Sequence, residues 1–250
     1  MKKILTFALA VLLLISLFVF VSCDTPNPPE VIPKVDYSVI NNFEFSISET
    51  EDYVTYTPDA NATHGFLFYL GTSVAPKYYD YLASALATQG YLVVISTNGF
   101  PYMFYDKDEP TFEEYPNIKF FVGGHSQGGA AAVKRTNEHR DEVVGVVLLA
   151  PLAYPSDSIA DADIPVLLLE ATNDGVLTAD MKADAKRSIP YDSEQYLIEG
   201  CHMSFSTLDS DETLTMFHDG PATQEEKVAQ RKATVAYVLA FLKSVATSAE

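Results

Sequence analysis

The sequence predicts an α/β domain: a mostly parallel central sheet flanked by helices, with an antiparallel hairpin at its N-terminal edge. Three observations carry this. From residue 64 onward, short apolar runs rich in β-formers alternate with segments of helical pattern. Those runs are continuous rather than alternating, as in strands covered on both faces. The chain has 250 residues, 48% hydrophobic and 20% charged, which suits one domain with a substantial core and excludes wholesale disorder.

In chain order, residues 43–48 and 53–56 alternate apolar with polar and read as the edge hairpin. Residues 65–70 (GFLFYL) are the first core strand. Residues 78–89 form a helix stopped by Gly90. A second buried strand covers 91–96. Residues 98–117 break the alternation, with six aromatic residues and three prolines; they read as a long loop with at most one helical turn. Strands follow at 119–122, 143–149, 165–170 and 195–198, and helices at 128–137, 178–188 and 224–244. No internal repeat is present.

Composition removes several function classes. The formal net charge is -18, from 16 Lys+Arg against 34 Asp+Glu. A field of that sign repels phosphate backbones, so nucleic acid is not an expected partner. Two cysteines make neither a disulfide framework nor a four-cysteine zinc site. Neither G-x-G-x-x-G nor a G-K-[ST] phosphate loop occurs.

The N-terminus reads as an address. Lys2 and Lys3 precede an uncharged run from Ile4 to Val21, then Ser22 and Cys23. A cleaved signal peptide, an uncleaved anchor and a lipoprotein signal all fit this outline. Phe20-Val21-Ser22-Cys23 resembles a lipobox with Phe in place of the usual Leu, and a Pro-rich tether follows. The expected organisation is a signal peptide over 1–22, a tether over 23–36 with Cys23 lipidated, and the folded domain over 37–250. The expected location is outside the cytoplasm, as a membrane-anchored lipoprotein in the periplasm or at the cell surface, or secreted if Cys23 carries no lipid.

Gly124-His125-Ser126-Gln127-Gly128 fits G-x-S-x-G, after an apolar strand and before an Ala-rich helix. A serine presented on so tight a strand-to-helix turn needs glycines two positions either side, and Gly129 lets the helix approach closely. The helix N-terminus then turns N–H groups toward the reacting centre. The N–H of Gln127 is the first expected oxyanion donor, and that of Thr72, after the first core strand, the second, with Ser73 close behind.

A serine nucleophile needs a base, and the base an orienting carboxylate. Of five histidines, His64 and His125 precede or adjoin the serine, and His139 falls near the end of the following helix. His202 lies in a loop at a strand's C-terminal end, whereas His218 lies in an acidic stretch that reads as surface. His202 is the expected base. Asp174, in Thr172-Asn173-Asp174-Gly175, sits in a turn at the C-terminal edge of its strand and is the expected acid. Asp163 precedes its strand, and Asp180 and Asp184 sit on a helix.

With these residues in place the chain resembles the α/β-hydrolases, specifically the small bacterial group often called alpha/beta hydrolase fold-5. The resemblance runs from about Gly65 to Leu242. It is carried by Tyr69-Leu70-Gly71, the Gly-Gly-His-Ser-Gln-Gly-Gly run at 123–129, Thr172-Asn173-Asp174-Gly175, Glu199-Gly200-Cys201-His202 and the closing helix. It implies Ser126, Asp174 and His202 as nucleophile, acid and base, in agreement with the residue-level reading. The group usually has Asn where this chain has Cys201, and a regular helix where 98–117 are irregular.

Phe100, Tyr102, Phe104 and Tyr105 are expected to overhang the strand edge and line an acyl pocket, with Tyr78, Tyr79 and Tyr81 contributing. The expected substrate is a small, neutral carboxylic ester cleaved through an acyl-enzyme, with no metal or cofactor. Thioester, peptide or acyl-transfer chemistry would use the same three residues. A surface-binding lipoprotein on a hydrolase fold is the non-catalytic alternative. Cys201 reads as a small buried residue, pairing with Cys23 only if the latter is unlipidated. Asp209, Asp211 and Glu212 read as a solvated acidic loop, because they lack the spacing of a calcium loop.

Overall fold

The computed structural model describes residues 42–97 and 110–248. The signal, Cys23 and the tether lie outside the described residues, as do Phe100, Tyr102, Phe104 and Tyr105. Among the described residues no helix is long and apolar enough to cross a membrane.

Eight strands form one sheet: β1 (Phe45–Glu49), β2 (Tyr53–Pro58), β3 (His64–Tyr69), β4 (Leu92–Ser96), β5 (Lys119–His125), β6 (Val143–Leu149), β7 (Val166–Ala171) and β8 (Glu194–Ile198). Their order across the sheet is β1-β2-β4-β3-β5-β6-β7-β8. β1 and β2 make the expected antiparallel hairpin, and β2 joins β4 antiparallel. All other pairings are parallel. The chain leaves β3 for β4 on one side and leaves β5 for β6 on the other, so it departs from these two neighbouring strands in opposite directions. That opens a crevice beyond their C-terminal ends.

Among the described residues the sheet is flanked by six α-helices: α1 (Asp80–Ala87), α2 (Pro110–Glu114), α3 (Gln127–Glu138), α4 (Ala179–Arg187), α5 (Asp211–Met216) and α6 (Gln224–Ser248). Side chains alternate across each strand, so the sheet feeds two cores. Phe66, Phe68, Phe121 and Val147 pack with Leu82 and Leu86 of α1 and with Val238 and Phe241 of α6. Leu67, Tyr69, Phe120 and Val122 pack with Ala131, Ala132 and Val133 of α3 and Ala185 of α4. Helix starts follow local chemistry. The Thr178 hydroxyl accepts from the N–H of Met181 at 3.3 Å. Thr223 and Glu226 exchange side-chain-to-backbone hydrogen bonds at 3.3 and 2.6 Å and fix the start of α6.

Differences from the sequence reading have local causes. β5 continues three residues past Val122, because β3 and β6 pair with Gly123 and Gly124 from both sides. The first helix is shorter: Pro76–Tyr79 form a 3-10 turn before α1. α6 runs on to Ser248, since nothing after Ser244 breaks a helix. The acidic stretch read as a solvated loop contains α5, capped by Ser210. Within it Asp209 is buried and bonds Arg231 of α6 at 2.6 Å.

Phe121 is fully buried, with its ring 6.3 Å from that of Phe241. Phe121→Ala should destabilise the fold by about 3–5 kcal/mol, read as a lower urea midpoint at unchanged slope. A loss below ~1 kcal/mol would mean this core is not close-packed.

Candidate active site

The turn from β5 into α3 is built from backbone-on-backbone contact. A β-carbon at Gly124 would lie 2.0 Å from the carbonyl oxygen of Gly128, and one at Gly128 would lie 2.2 Å from that of Tyr69. Between them Ser126 holds φ 54° and ψ -118°, a conformation of order 1–3 kcal/mol above the ordinary wells. Its N–H donates to Leu149 at 2.9 Å, and its carbonyl accepts from Gly129 at 2.9 Å and Leu152 at 2.8 Å. The strain is therefore held by both neighbouring segments. Gln127 begins α3, so its N–H is among the donors a helix leaves without an internal acceptor.

Asp174 follows β7 and His202 follows β8, at the same sheet edge as Ser126. Nδ1–H of His202 donates to Oδ2 of Asp174 at 3.0 Å, with each side chain 1% exposed. Oδ1 of Asp174 accepts the N–H groups of Val176 and Leu177, both at 2.9 Å. Burial alone would raise the Asp174 carboxyl. The hydrogen bond and charge of His202, the Leu177 N–H and the Lys182 charge outweigh it and hold the group below its ordinary value. The bond to Asp174 occupies Nδ1 of His202 and leaves Nε2 as the basic nitrogen.

Ser126, His202 and Thr72 all line one cleft of about 250 Å³, walled by Val74, Leu152, Leu177, Met181, Met203 and Phe217. The Thr72 hydroxyl donates to Oε1 of Gln127 at 2.8 Å, tying the loop after β3 to the first turn of α3. The apolar part of the described wall consists of aliphatic and thioether side chains from the loops after β3, β6, β7 and β8 and from α4, together with the Phe217 ring. Tyr79 and Tyr81 do not contribute as expected. Tyr79 is buried behind His125, and the Tyr81 hydroxyl donates to the Phe205 carbonyl at 2.9 Å. His218 is exposed, in keeping with its surface reading. Cys201 is fully buried, and burial pushes its thiol up to about 11, so it stays protonated and unreactive near neutrality.

Three residues have places at the site that the sequence does not predict. His125 adjoins the serine but is fully buried. Nε2 of His125 lies 3.1 Å from the His202 carbonyl, which can only accept, so Nε2 carries the ring proton. Nδ1 of the neutral ring accepts from the Tyr79 hydroxyl at 2.8 Å, and that hydroxyl accepts from the Gly71 N–H at 3.1 Å. The loop after β3 is thereby linked to the backbone of His202. The third residue is Asp219, whose carboxylate receives the N–H groups of His202 and Met203 at 3.1 and 2.8 Å.

Burial, then the nearby His202 charge, lowers the His125 pKa well below 6.5. The unfolded chain therefore binds the extra proton first as pH falls from about 6.5. This contribution to stability is complete above that value and is lost on acidification. The depressed Asp174 adds its own loss only below the ordinary carboxyl value of 3.8. Urea unfolding between pH 7.5 and 5 should show declining stability, with a smaller decline in His125→Gln. Equal declines in the two proteins would overturn this account.

A family model of the alpha/beta hydrolase family matches residues 65–211, from β3 to the start of α5. Solved structures with similar folds include a predicted CIB-like hydrolase from Thermoplasma acidophilum, at 15% identity and a TM-score of 0.52, covering 70% of this chain and 96% of that one. A candidate lipase from Acinetobacter baumannii is 12% identical, with a TM-score of 0.56 over 83% of this chain and 93% of that one. A thioesterase domain from the curacin biosynthetic pathway is 11% identical, with a TM-score of 0.53 over 71% and 98%. No curated protein sequence matches the chain. With the family model spanning more than half of its length and the strand order, crevice and serine turn in place, the chain belongs to the alpha/beta hydrolase family.

Proposed function

We propose that the chain is a serine hydrolase of small, neutral carboxylic esters. The observation that carries this is the 3.0 Å bond from Nδ1 of His202 to Asp174, made beside the cleft that Ser126 lines. In the proposed reaction Nε2 of His202 takes the Ser126 proton as Oγ attacks the ester carbonyl. The N–H groups of Gln127 and Thr72 receive the oxyanion. The imidazolium, steadied by Asp174, gives its proton to the leaving alcohol, and the acyl group stays on Ser126. Water, deprotonated by His202, then attacks the acyl-enzyme, and His202 returns that proton to Oγ of Ser126 as the acid leaves. No step needs a metal or cofactor.

Two features support the substrate class. The described cleft walls are mostly apolar and its volume suits a short acyl chain. The chain's formal charge of -18 opposes approach of anions. We further propose that Cys23 is lipidated and holds the domain at a membrane outside the cytoplasm, on the strength of the sequence preceding it.

The full-length chain should hydrolyse p-nitrophenyl esters best at the acetate-to-hexanoate end of a series reaching decanoate. Ser126→Ala should cut kcat by roughly 10⁴-fold or more while leaving the unfolding midpoint in place. Undiminished turnover in that variant would sink the assignment. Faster acylation by a matched thioester would move the reading to a thioesterase, and absence of both turnover and fluorophosphonate labelling would move it to a binding lipoprotein. Separately, cells fed labelled palmitate should label the wild-type chain and not Cys23→Ser, and equal labelling would exclude that site.

A further inference from the structure

Asp219 belongs to the segment between α5 and α6, beyond the residues the family model matches. Its carboxylate collects four backbone N–H groups. Oδ1 accepts from Gly175 at 3.1 Å, from His202 at 3.1 Å and from Gly220 at 2.8 Å. Oδ2 accepts from Met203 at 2.8 Å. Gly175 follows Asp174 directly, so one side chain holds the backbone beside the acid and the backbone of the base. The segment is fitted against the acid loop. A β-carbon at Gly220 would lie 1.8 Å from the Asn173 carbonyl oxygen, and the Asn173 amide reaches the Pro221 carbonyl at 3.5 Å.

Other ties between the two loops lie further back toward the sheet. Asn173 N–H donates to Gly200 at 2.8 Å, and Gly200 N–H to the Thr172 hydroxyl at 3.3 Å. These extend the β7–β8 pairing. At the level of Asp174 and His202 the two loops meet through their own side chains and through Asp219. A carboxylate is suited to this task, because it offers acceptor sites on two oxygens and no donor to conflict with the converging N–H groups.

We propose that Asp219 is a positioning residue that sets the separation and alignment of Asp174 and His202. The proposal rests on the serine-hydrolase reading for its kinetic consequence but not for its structural one. Loss of the clasp frees both loops to shift by a fraction of an ångström. That is enough to misalign a proton transfer while leaving the apolar cleft, which binds the acyl chain, in place.

The test compares the full-length chain with Asp219→Ala and Asp219→Asn, in turnover of a short p-nitrophenyl ester and in the imidazole N–H proton spectrum. The Nδ1–H resonance of His202 is assigned by its disappearance in His202→Gln. Asp219→Ala should lower kcat by roughly 10–100-fold with KM within about threefold, and the His202 resonance should broaden or shift. Asp219→Asn keeps one acceptor oxygen and should fall between the two; it carries the comparison if the alanine variant does not fold. Unchanged kcat with an unchanged resonance would overturn the proposal. A lower kcat with an unchanged resonance, or a loss confined to KM, would also overturn it. If the wild-type chain turns over no ester and yet its resonance depends on Asp219, the hydrolase reading falls and the positioning role stands.

Discussion

At the passage from β5 to α3 the backbone of Gly124 lies against that of Gly128, and Gly128 lies against Tyr69 at the end of β3. No side chain fits between them. This contact sets how close α3 lies to the sheet, and so where the first N–H groups of the helix point. It also fixes the unusual backbone of Ser126, which no local preference of serine would choose. The two flanking strands serve the same end: β3 and β6 pair with β5 through its glycines, so the turn is gripped on both sides. A rigid scaffold with strain concentrated at one residue is the general arrangement by which folds hold a reactive group ready.

Around that turn lies a thin polar layer inside an apolar surround. Tyr79, His125, His202, Asp174 and Asp219 pass hydrogen bonds from the loop after β3 to the loops after β7 and β8. Each buried donor in this series meets an acceptor, which keeps such a layer from costing several kcal/mol. The proton inventory is also consistent. His125 is held neutral, so its Nδ1 can accept from the Tyr79 hydroxyl while its Nε2–H donates to the carbonyl of His202. Two imidazoles with ring centres 4.8 Å apart are thereby given different duties by their partners.

Much of the fold was legible, because strands buried on both faces are written as unbroken apolar runs. The apolar run Val143–Leu149 is β6 residue for residue, and the order of strands and helices from β3 to α6 follows from alternation, α5 excepted. Ser126 was legible because its glycine spacing is a steric requirement that leaves a local trace. His202 and Asp174 were reached through their places at strand ends. Asp219 and His125 were not legible. A residue 17 positions beyond His202 reaches it only through the packing of α5, which an acidic, polar stretch did not advertise. His125 looked like a neighbour of the serine, and nothing local tells that its ring turns inward to a tyrosine. The described cleft walls come from several separate loops, so no single run of sequence spells them.

The order β4-β3-β5 has a bearing on how the chain must be made. Phe66 and Phe68 of β3 are complete long before β5 exists, and β5 in turn is complete before β7 and β8. A chain emerging N-terminus first therefore presents rows of aromatic side chains and open sheet edges with no partner yet synthesised. Parallel pairing over such separations is slow, because each loop must close before its contacts give any return. The crevice at the strand ends is among the last places to assemble, since it draws on Thr72, Ser126, Asp174 and His202 in turn. Until the final strand docks, the nascent chain holds its apolar rows without the covering helix α6. A cleft drawn from loops so far apart in sequence thus carries a demand for protection during synthesis that the finished fold conceals.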